Sequence, residues 1–148
     1  AEMYLNLAEI LIELDALENT TGRLEEAKGL IDKIRVRAGI PTIDEAWKKA
    51  NHPEKANTAE GLREIVRRER QIEFYLENQR FWDLRRWKDA GILGEKVWGM
   101  NIEGDTDETF FVPTELQNIR TFKQAQYLMP IPMTETNKVP HIVQNPGY

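Results

Sequence analysis

Apolar side chains surround most of the first predicted helix, which runs from Glu2 to Leu17. At about 100° per residue, its polar positions fall on one narrow strip of the helix surface. The strip consists of Glu2, Asn6, Glu9 and Glu13, and the apolar remainder consists of Met3, Leu5, Leu7, Ile10, Leu11, Ile12, Leu14 and Leu17. A helix with so much apolar surface needs neighbours on more than one side. The pattern therefore predicts a helix from the middle of a larger helical stack.

A second helix is predicted over 23–38, after a short polar connection at 18–22. Gly39 and Pro41 end it, because glycine and proline commonly follow the last helical turn. Its apolar stripe is formed by Leu24, Ala27, Leu30, Ile31, Ile34 and Ala38. The short connection predicts that the first two helices pair as an antiparallel hairpin.

Capping signals predict where two later helices begin. Thr42 and Glu45 have the spacing of a capping box, which predicts a short helix that carries Trp47. Thr58 is predicted to cap a long helix. The predicted helices in this part of the chain cover 43–50, 59–78 and 81–90.

Beyond Gly94 the helical period disappears. Short strands are predicted at 97–104 and 109–113, on either side of an acidic turn. The sequence thus predicts a mainly α fold of tetratricopeptide-like helical hairpins, with a small irregular or β segment and an extended Pro-rich C-terminal tail. The predicted divisions are a helical scaffold at 1–91, an irregular or hairpin insertion at 92–126, and an extended tail at 127–148 that lies over the helices.

Charge and composition narrow the possible functions. A net charge of −5 disfavours nucleic acid as the main partner, because phosphate binding needs a basic field. The absence of cysteine excludes disulfides and thiolate metal sites in this stretch. No apolar run approaches the roughly 18 residues of a membrane span. His52 and His141 lie far apart, and neither belongs to a metal-binding spacing, so we expect no metal.

Two carboxylates, Glu69 and Glu73, lie one turn apart on the apolar face predicted for the long helix. That face is formed by Leu62, Ile65, Val66, Ile72 and Leu76. One interpretation is an acid/base pair, because side chains at this spacing lie about 5–6 Å apart. The other is a structural ion-pair lattice, which is favoured because carboxylates on one helix point the same way instead of flanking a bond. Its predicted members are Glu69, Glu73, Arg80, Asp83 and Arg86, with Arg85 close by.

Several motifs occur along the chain in a recognisable order. Together they resemble the C-terminal portion of SusD/RagB family members, including the terminal tail, over almost the whole chain. Asn78 stands where the family usually has a glycine, and Thr136 where an apolar residue is common. The motifs that carry the resemblance are residues 35–39 (RVRAG), 69–73 (ERQIE), 81–87 (FWDLRRW), 127–132 (YLMPIP) and 144–148 (QNPGY).

The resemblance implies a surface-exposed lipoprotein of the Gram-negative outer membrane, anchored through an upstream segment that this chain lacks. Such proteins bind glycans or other nutrients and deliver them to a SusC-like TonB-dependent transporter. No catalysis and no cofactor are implied. A helical protein-interaction scaffold without sugar contacts is the alternative function, and a carbohydrate-cleaving enzyme is the third.

Sugar recognition combines an aromatic platform with nearby hydrogen-bonding groups. Trp82 and Trp87 lie at helical spacing within the motif at 81–87, so we expect them to belong to the core. Trp47 and Trp98 lie in less regular stretches, where family members vary. These two tryptophans are therefore the candidate ligand-binding residues.

Overall fold

The computed structural model describes residues 1–18, 22–116, 120–139 and 141–148. These residues form two units, Ala1–Arg80 and Phe81–Tyr148. The prediction of a mainly helical chain with a small β segment is confirmed. The predicted divisions after residues 91 and 126 stay predictions, and residues 19–21 of the predicted first connection lie outside the described residues.

Four helices and one 3-10 turn form the first unit, and a fifth helix leads into the second. The helices are α1 (Glu2–Glu18), α2 (Gly22–Arg37), α3 (Ile43–Trp47), α4 (Ala59–Glu73) and α5 (Gln79–Arg86), with the 3-10 turn Pro53–Asn57 before α4. Helix α1 packs on α2 and α4. The core between them is lined by Leu5, Ala8, Ile12, Leu24, Ala27, Ile31, Ile43, Leu62 and Val66, all buried.

The polar strip of α1 faces α4. Arg63 donates to both carboxylate oxygens of Glu13, at 2.5 and 2.7 Å, and Arg70 donates to Asn6 Oδ1 at 2.6 Å. The side chain of Glu9 is buried, and its Oε2 lies 3.9 Å from Arg70 Nε. The hydrogen bonds with Arg63 hold the pKa of Glu13 below its ordinary value. Polar side chains therefore join these two helices, while a stripe of apolar residues on α1 remains exposed.

Helix α4 ends five residues before the predicted position. Phe74 closes it, and Leu76 and Asn78 then adopt positive φ angles of 67° and 65°. The prediction that Ile72 and Leu76 belong to the apolar face is wrong, since they are 59% and 86% exposed. Ile72 falls at the edge of that face at about 100° per residue, and Leu76 lies beyond the end of the helix.

The second unit is less regular and contains a two-stranded sheet. Strands β1 (Trp98–Met100) and β2 (Pro113–Glu115) pair antiparallel, with Trp98 opposite Glu115. Between them lies a short helix, α6 (Asp107–Phe110), which covers the end of the predicted acidic turn and the start of the strand predicted at 109–113. That strand prediction is wrong except at Pro113, where β2 begins. Two 3-10 turns, Ala90–Gly94 and Gln124–Tyr127, complete this part of the unit.

The tail is not wholly extended, because α7 (Met133–Lys138) forms within it. Its last residues hydrogen-bond to the segment before that helix. The Gln144 side chain bonds both the N–H and the carbonyl of Ile131 at 2.8 Å, and Tyr148 Oη donates to the Leu128 carbonyl at 3.1 Å. Gly147 has φ +93°, and a Cβ there would lie 2.7 Å from the Ala125 side chain, so the turn requires glycine. The motifs at 127–132 and 144–148 are thus partners in one structure.

Candidate functional site

A cleft of about 490 Å³ opens on the first unit beside Trp47. Its walls come from α2, from α3 and the residue after it, and from the 3-10 turn before α4. The cleft is lined by Glu25, Lys28, Asp44, Trp47, Lys48, Pro53, Ala56 and Asn57. It combines one indole ring with charged and amide groups, so its lining is more polar than that of most small-molecule pockets.

Local sequence fixes the position of Trp47. The predicted capping box is confirmed: Glu45 N–H donates to Thr42 Oγ1 at 3.4 Å, and Thr42 N–H donates to the Glu45 carboxylate at 3.1 Å. Ile43, the residue after Thr42, is fully buried, and its N–H donates to Asp32 Oδ1 on α2 at 2.8 Å. Helix α3 is therefore held on α2 at its first turn. Trp47 ends this helix, half-buried against the core.

Lys28 lies at the inner wall of the cleft and is 4% exposed. Its ammonium group contacts Glu25 Oε1 at 2.6 Å, Asp44 Oδ1 at 3.1 Å and Asn57 Oδ1 at 3.4 Å. These three acceptors come from α2, α3 and the 3-10 turn. One buried lysine therefore connects the three segments that form the walls.

The protonation of Lys28 follows from these contacts. Burial by itself would lower the pKa of Lys28, but the hydrogen bonds and charges of Glu25 and Asp44 outweigh it and raise the pKa above its ordinary value. Lys28 is therefore a cation at neutral pH, and its charge is balanced inside the cleft.

The two carboxylates remain accessible to a ligand. The side chains of Glu25 and Asp44 are 73% and 63% exposed. Their contacts with Lys28 use one oxygen of each, so the second oxygen of each can accept a hydrogen bond from a ligand. The cleft thus offers acceptor oxygens next to an indole ring, which suits a hydroxyl-rich ligand.

Trp98 lies on β1 of the second unit and is 61% exposed. The cleft beside Trp47 is lined by residues of the first unit. The expectation that Trp82 belongs to the core is wrong, because it is 54% exposed, whereas Trp87 is half-buried. Trp82 packs edge-on against Phe81, with 4.9 Å between ring centroids.

The two carboxylates on α4 form ion pairs with α2. Glu69 pairs with Arg35 and Glu73 pairs with Arg37. The sequence had predicted partners for these carboxylates in the segment after α4. The observed partners, Arg35 and Arg37, lie before α4, in the motif at 35–39. Pairing of Arg80 with Glu69 or Glu73 stays a prediction.

The other predicted pair of the lattice lies in the second unit. Arg86 Nη2 contacts Asp83 Oδ1 at 3.0 Å, and Asp83 is 4% exposed. Within the first unit, the ion pairs on α4 do not line the cleft beside Trp47.

Sequence reasoning identified Trp47 and missed the polar groups around it. A usable signal was present, because Lys28 and Arg35 fall next to the apolar stripe that runs from Leu24 to Ala38. A cation on a buried face requires partners. The identity of those partners depends on tertiary packing, since Asp44 and Asn57 are 16 and 29 residues away from Lys28.

Other classes of site find no support in the described part of the chain. No group of three or more His, Asp or Glu side chains there is arranged to hold a metal ion. Among the same residues, no helix has the length and apolar character needed to cross a membrane.

Comparison with known proteins relates the whole chain to one family. The SusD family model matches residues 1–148. The SusD-like protein P2 of Formosa agariphila is 29% identical over an alignment of 146 residues that covers 94% of this chain and 24% of that protein. The chain therefore spans about a quarter of the length of this curated relative.

Two solved structures share the fold. A SusD-like protein from Bacteroides fragilis is 36% identical, with a TM-score of 0.72 over 99% of this chain and 24% of that one. A protein named BT4246 is 34% identical, with a TM-score of 0.76 over 99% of this chain and 23% of that one. On sequence and structure together, the chain belongs to the SusD family.

Proposed function

We propose that this chain contributes to non-catalytic glycan binding at the bacterial cell surface and that the cleft beside Trp47 contacts the sugar. The observation that carries the proposal is the placement of Trp47 next to the exposed carboxylates of Glu25 and Asp44. An indole ring packs on the apolar face of a sugar, and carboxylates accept hydrogen bonds from its hydroxyl groups. Membership of the SusD family supports the same role.

The cellular context is part of the proposal. The ligand, a glycan or another nutrient, would pass to a SusC-like TonB-dependent transporter. The protein would be held at the outer membrane by a lipid anchor upstream of this chain. No cofactor takes part.

Tryptophan fluorescence during titration with a panel of soluble polysaccharides tests this function. We expect saturable binding that Trp47→Ala abolishes, because the aromatic platform is lost. Trp98→Ala tests the second candidate, which lies outside this cleft. Trp82→Ala is the matched control, since Trp82 is exposed and does not line the cleft. A folded chain that binds no polysaccharide would contradict the proposal.

The exposed apolar stripe of α1 favours a helical interaction scaffold as the second candidate, because exposed apolar patches mark protein-interaction sites. Binding of a purified SusC-like transporter by a chain without glycan affinity would support it. The enzyme alternative predicts release of product from an oligosaccharide, abolished by Glu73→Gln.

A further inference from the structure

The geometry points to selection of uncharged glycans: we infer that the cleft beside Trp47 binds neutral polysaccharides and rejects sulfated or uronic-acid ones. This inference rests on the proposed glycan-binding role of the cleft. It comes from the hydrogen bonds of Lys28 and from the charges of the side chains around it.

The donors of Lys28 are fully used within the protein. A lysine ammonium carries three N–H donors. Lys28 has three acceptors, Glu25 Oε1, Asp44 Oδ1 and Asn57 Oδ1, at 2.6–3.4 Å. A sulfate or carboxylate of a ligand would have to displace one of them, which would strand a carboxylate or an amide next to the new anion. The buried cation is therefore unavailable to an anionic ligand.

The charge of the cleft gives an anion no compensation. Glu25 and Asp44 balance Lys28 and Lys48, the other charged side chains of the lining. Lys48, Glu25 and Asp44 are all exposed, so water screens the charge of each, and two accessible carboxylates then outnumber one accessible ammonium group. The ligand-accessible atoms nearest the buried lysine are carboxylate oxygens, which repel an anion and accept from a hydroxyl group.

Matched polysaccharide pairs test the selectivity. The probes are dextran and dextran sulfate, hydroxyethyl cellulose and carboxymethyl cellulose, and homogalacturonan with and without methyl esters. Isothermal titration of the full chain measures each affinity. We expect at least one neutral member to bind, and its anionic partner to bind at least about tenfold more weakly, because of the like charges.

Charge removal from the cleft should relax this preference. In the double variant Glu25→Gln, Asp44→Asn, Lys28 and Lys48 are no longer balanced, so the anionic member should gain affinity, and added salt should suppress the gain. Glu25→Gln alone should show a smaller gain, and it is the safer variant because Glu25 is largely exposed. Glu26→Gln is the matched control, since exposed Glu26 adjoins Glu25 without lining the cleft.

The outcomes separate the inference from the proposed function. An anionic member that binds the unmodified chain as tightly as its neutral partner, with loss of both in Trp47→Ala, overturns the selectivity and leaves the glycan site standing. Absence of binding by all six polymers to a chain with helical circular dichroism overturns the proposed function, and the selectivity with it. Unchanged affinity of the double variant for the anionic members also counts against the assigned role of Glu25 and Asp44.

Discussion

Arg35 and Arg37 lie two residues apart near the end of α2, yet their ion pairs differ in burial. The side chains of Arg35 and Glu69 are each 12% exposed, whereas Arg37 is 60% exposed in its pair with Glu73. Arg35 Nε also donates to the Pro41 carbonyl at 2.7 Å, beyond the end of the helix. The first pair is therefore part of the interior, and the second is part of the surface.

This difference predicts unequal effects of removing each arginine. Arg35→Met leaves the buried carboxylate of Glu69 without this cation and should lower the free energy of unfolding by about 3–5 kcal/mol. The matched change Arg37→Met should cost only about 0–1 kcal/mol, because Arg37 is mostly exposed and the Glu73 carboxylate, at 22% exposure, keeps access to water. Urea denaturation measures both. Equal losses in the two variants would show that burial does not decide the strength of these pairs.

At the scale of elements, the end of α4 shows what local signals could not reveal. Capping residues placed the first residues of α3 and α4 correctly, because the capping box of α3 and the N-cap of α4 each depend on four adjacent residues. The end of α4 depends on Leu76, a residue with no sequence preference for positive φ. The positive φ of Asn78, 65°, is easier to predict from the sequence. Asparagine adopts this conformation more readily than leucine, and the family usually has a glycine at this position.

The positive φ of Leu76 predicts a stabilising substitution. A branched side chain in the left-handed region costs about 1–2 kcal/mol, and a glycine costs about 0.5–1 kcal/mol in chain entropy. Leu76 is 86% exposed, so little packing is lost. Leu76→Gly should therefore raise the free energy of unfolding by about 0.5–1 kcal/mol, measured by thermal and urea denaturation.

Leu128 provides the control for this substitution. It is 46% exposed, with an ordinary φ of −105°. Leu128→Gly gains no relief of backbone strain and should lower stability. A loss of stability in Leu76→Gly of the same size would mean that Leu76 carries no strain.

For the whole molecule, the sequence predicted the helical class but no cleft. It named Trp47 as a candidate because that residue lies in a less regular stretch, and the capping box predicted the short helix that carries it. The cleft itself required Lys28 to meet groups from two later segments, and no local pattern encodes that meeting. The tail shows the same limit: its proline content predicted an extended segment, but α7 forms within it at Met133–Lys138.

The apolar surface of α1 has a consequence for the behaviour of the chain in solution. Met3, Leu7, Ile10, Leu14 and Leu17 are between 37% and 78% exposed. They recur at intervals of four and three residues, so they form one stripe along the helix, the spacing by which helices pack together. An apolar stripe of this kind promotes association. We therefore expect the 148-residue chain to self-associate with increasing concentration.

Substitutions on this stripe separate association from folding. Ile10→Gln with Leu17→Gln should weaken self-association in sedimentation velocity, because both side chains are exposed and apolar. The free energy of unfolding of the monomer should change by no more than about 0.5 kcal/mol per site, since neither residue is in the core. Ile72→Gln, a change of the same kind at a 59% exposed position of α4, should leave association unaltered. A chain that stays monomeric at high concentration, or an equal effect of Ile72→Gln, would show that the α1 stripe does not drive the contact. A specific loss in the α1 variant would instead establish that this helix needs a neighbour beyond α2 and α4, as its apolar pattern predicts.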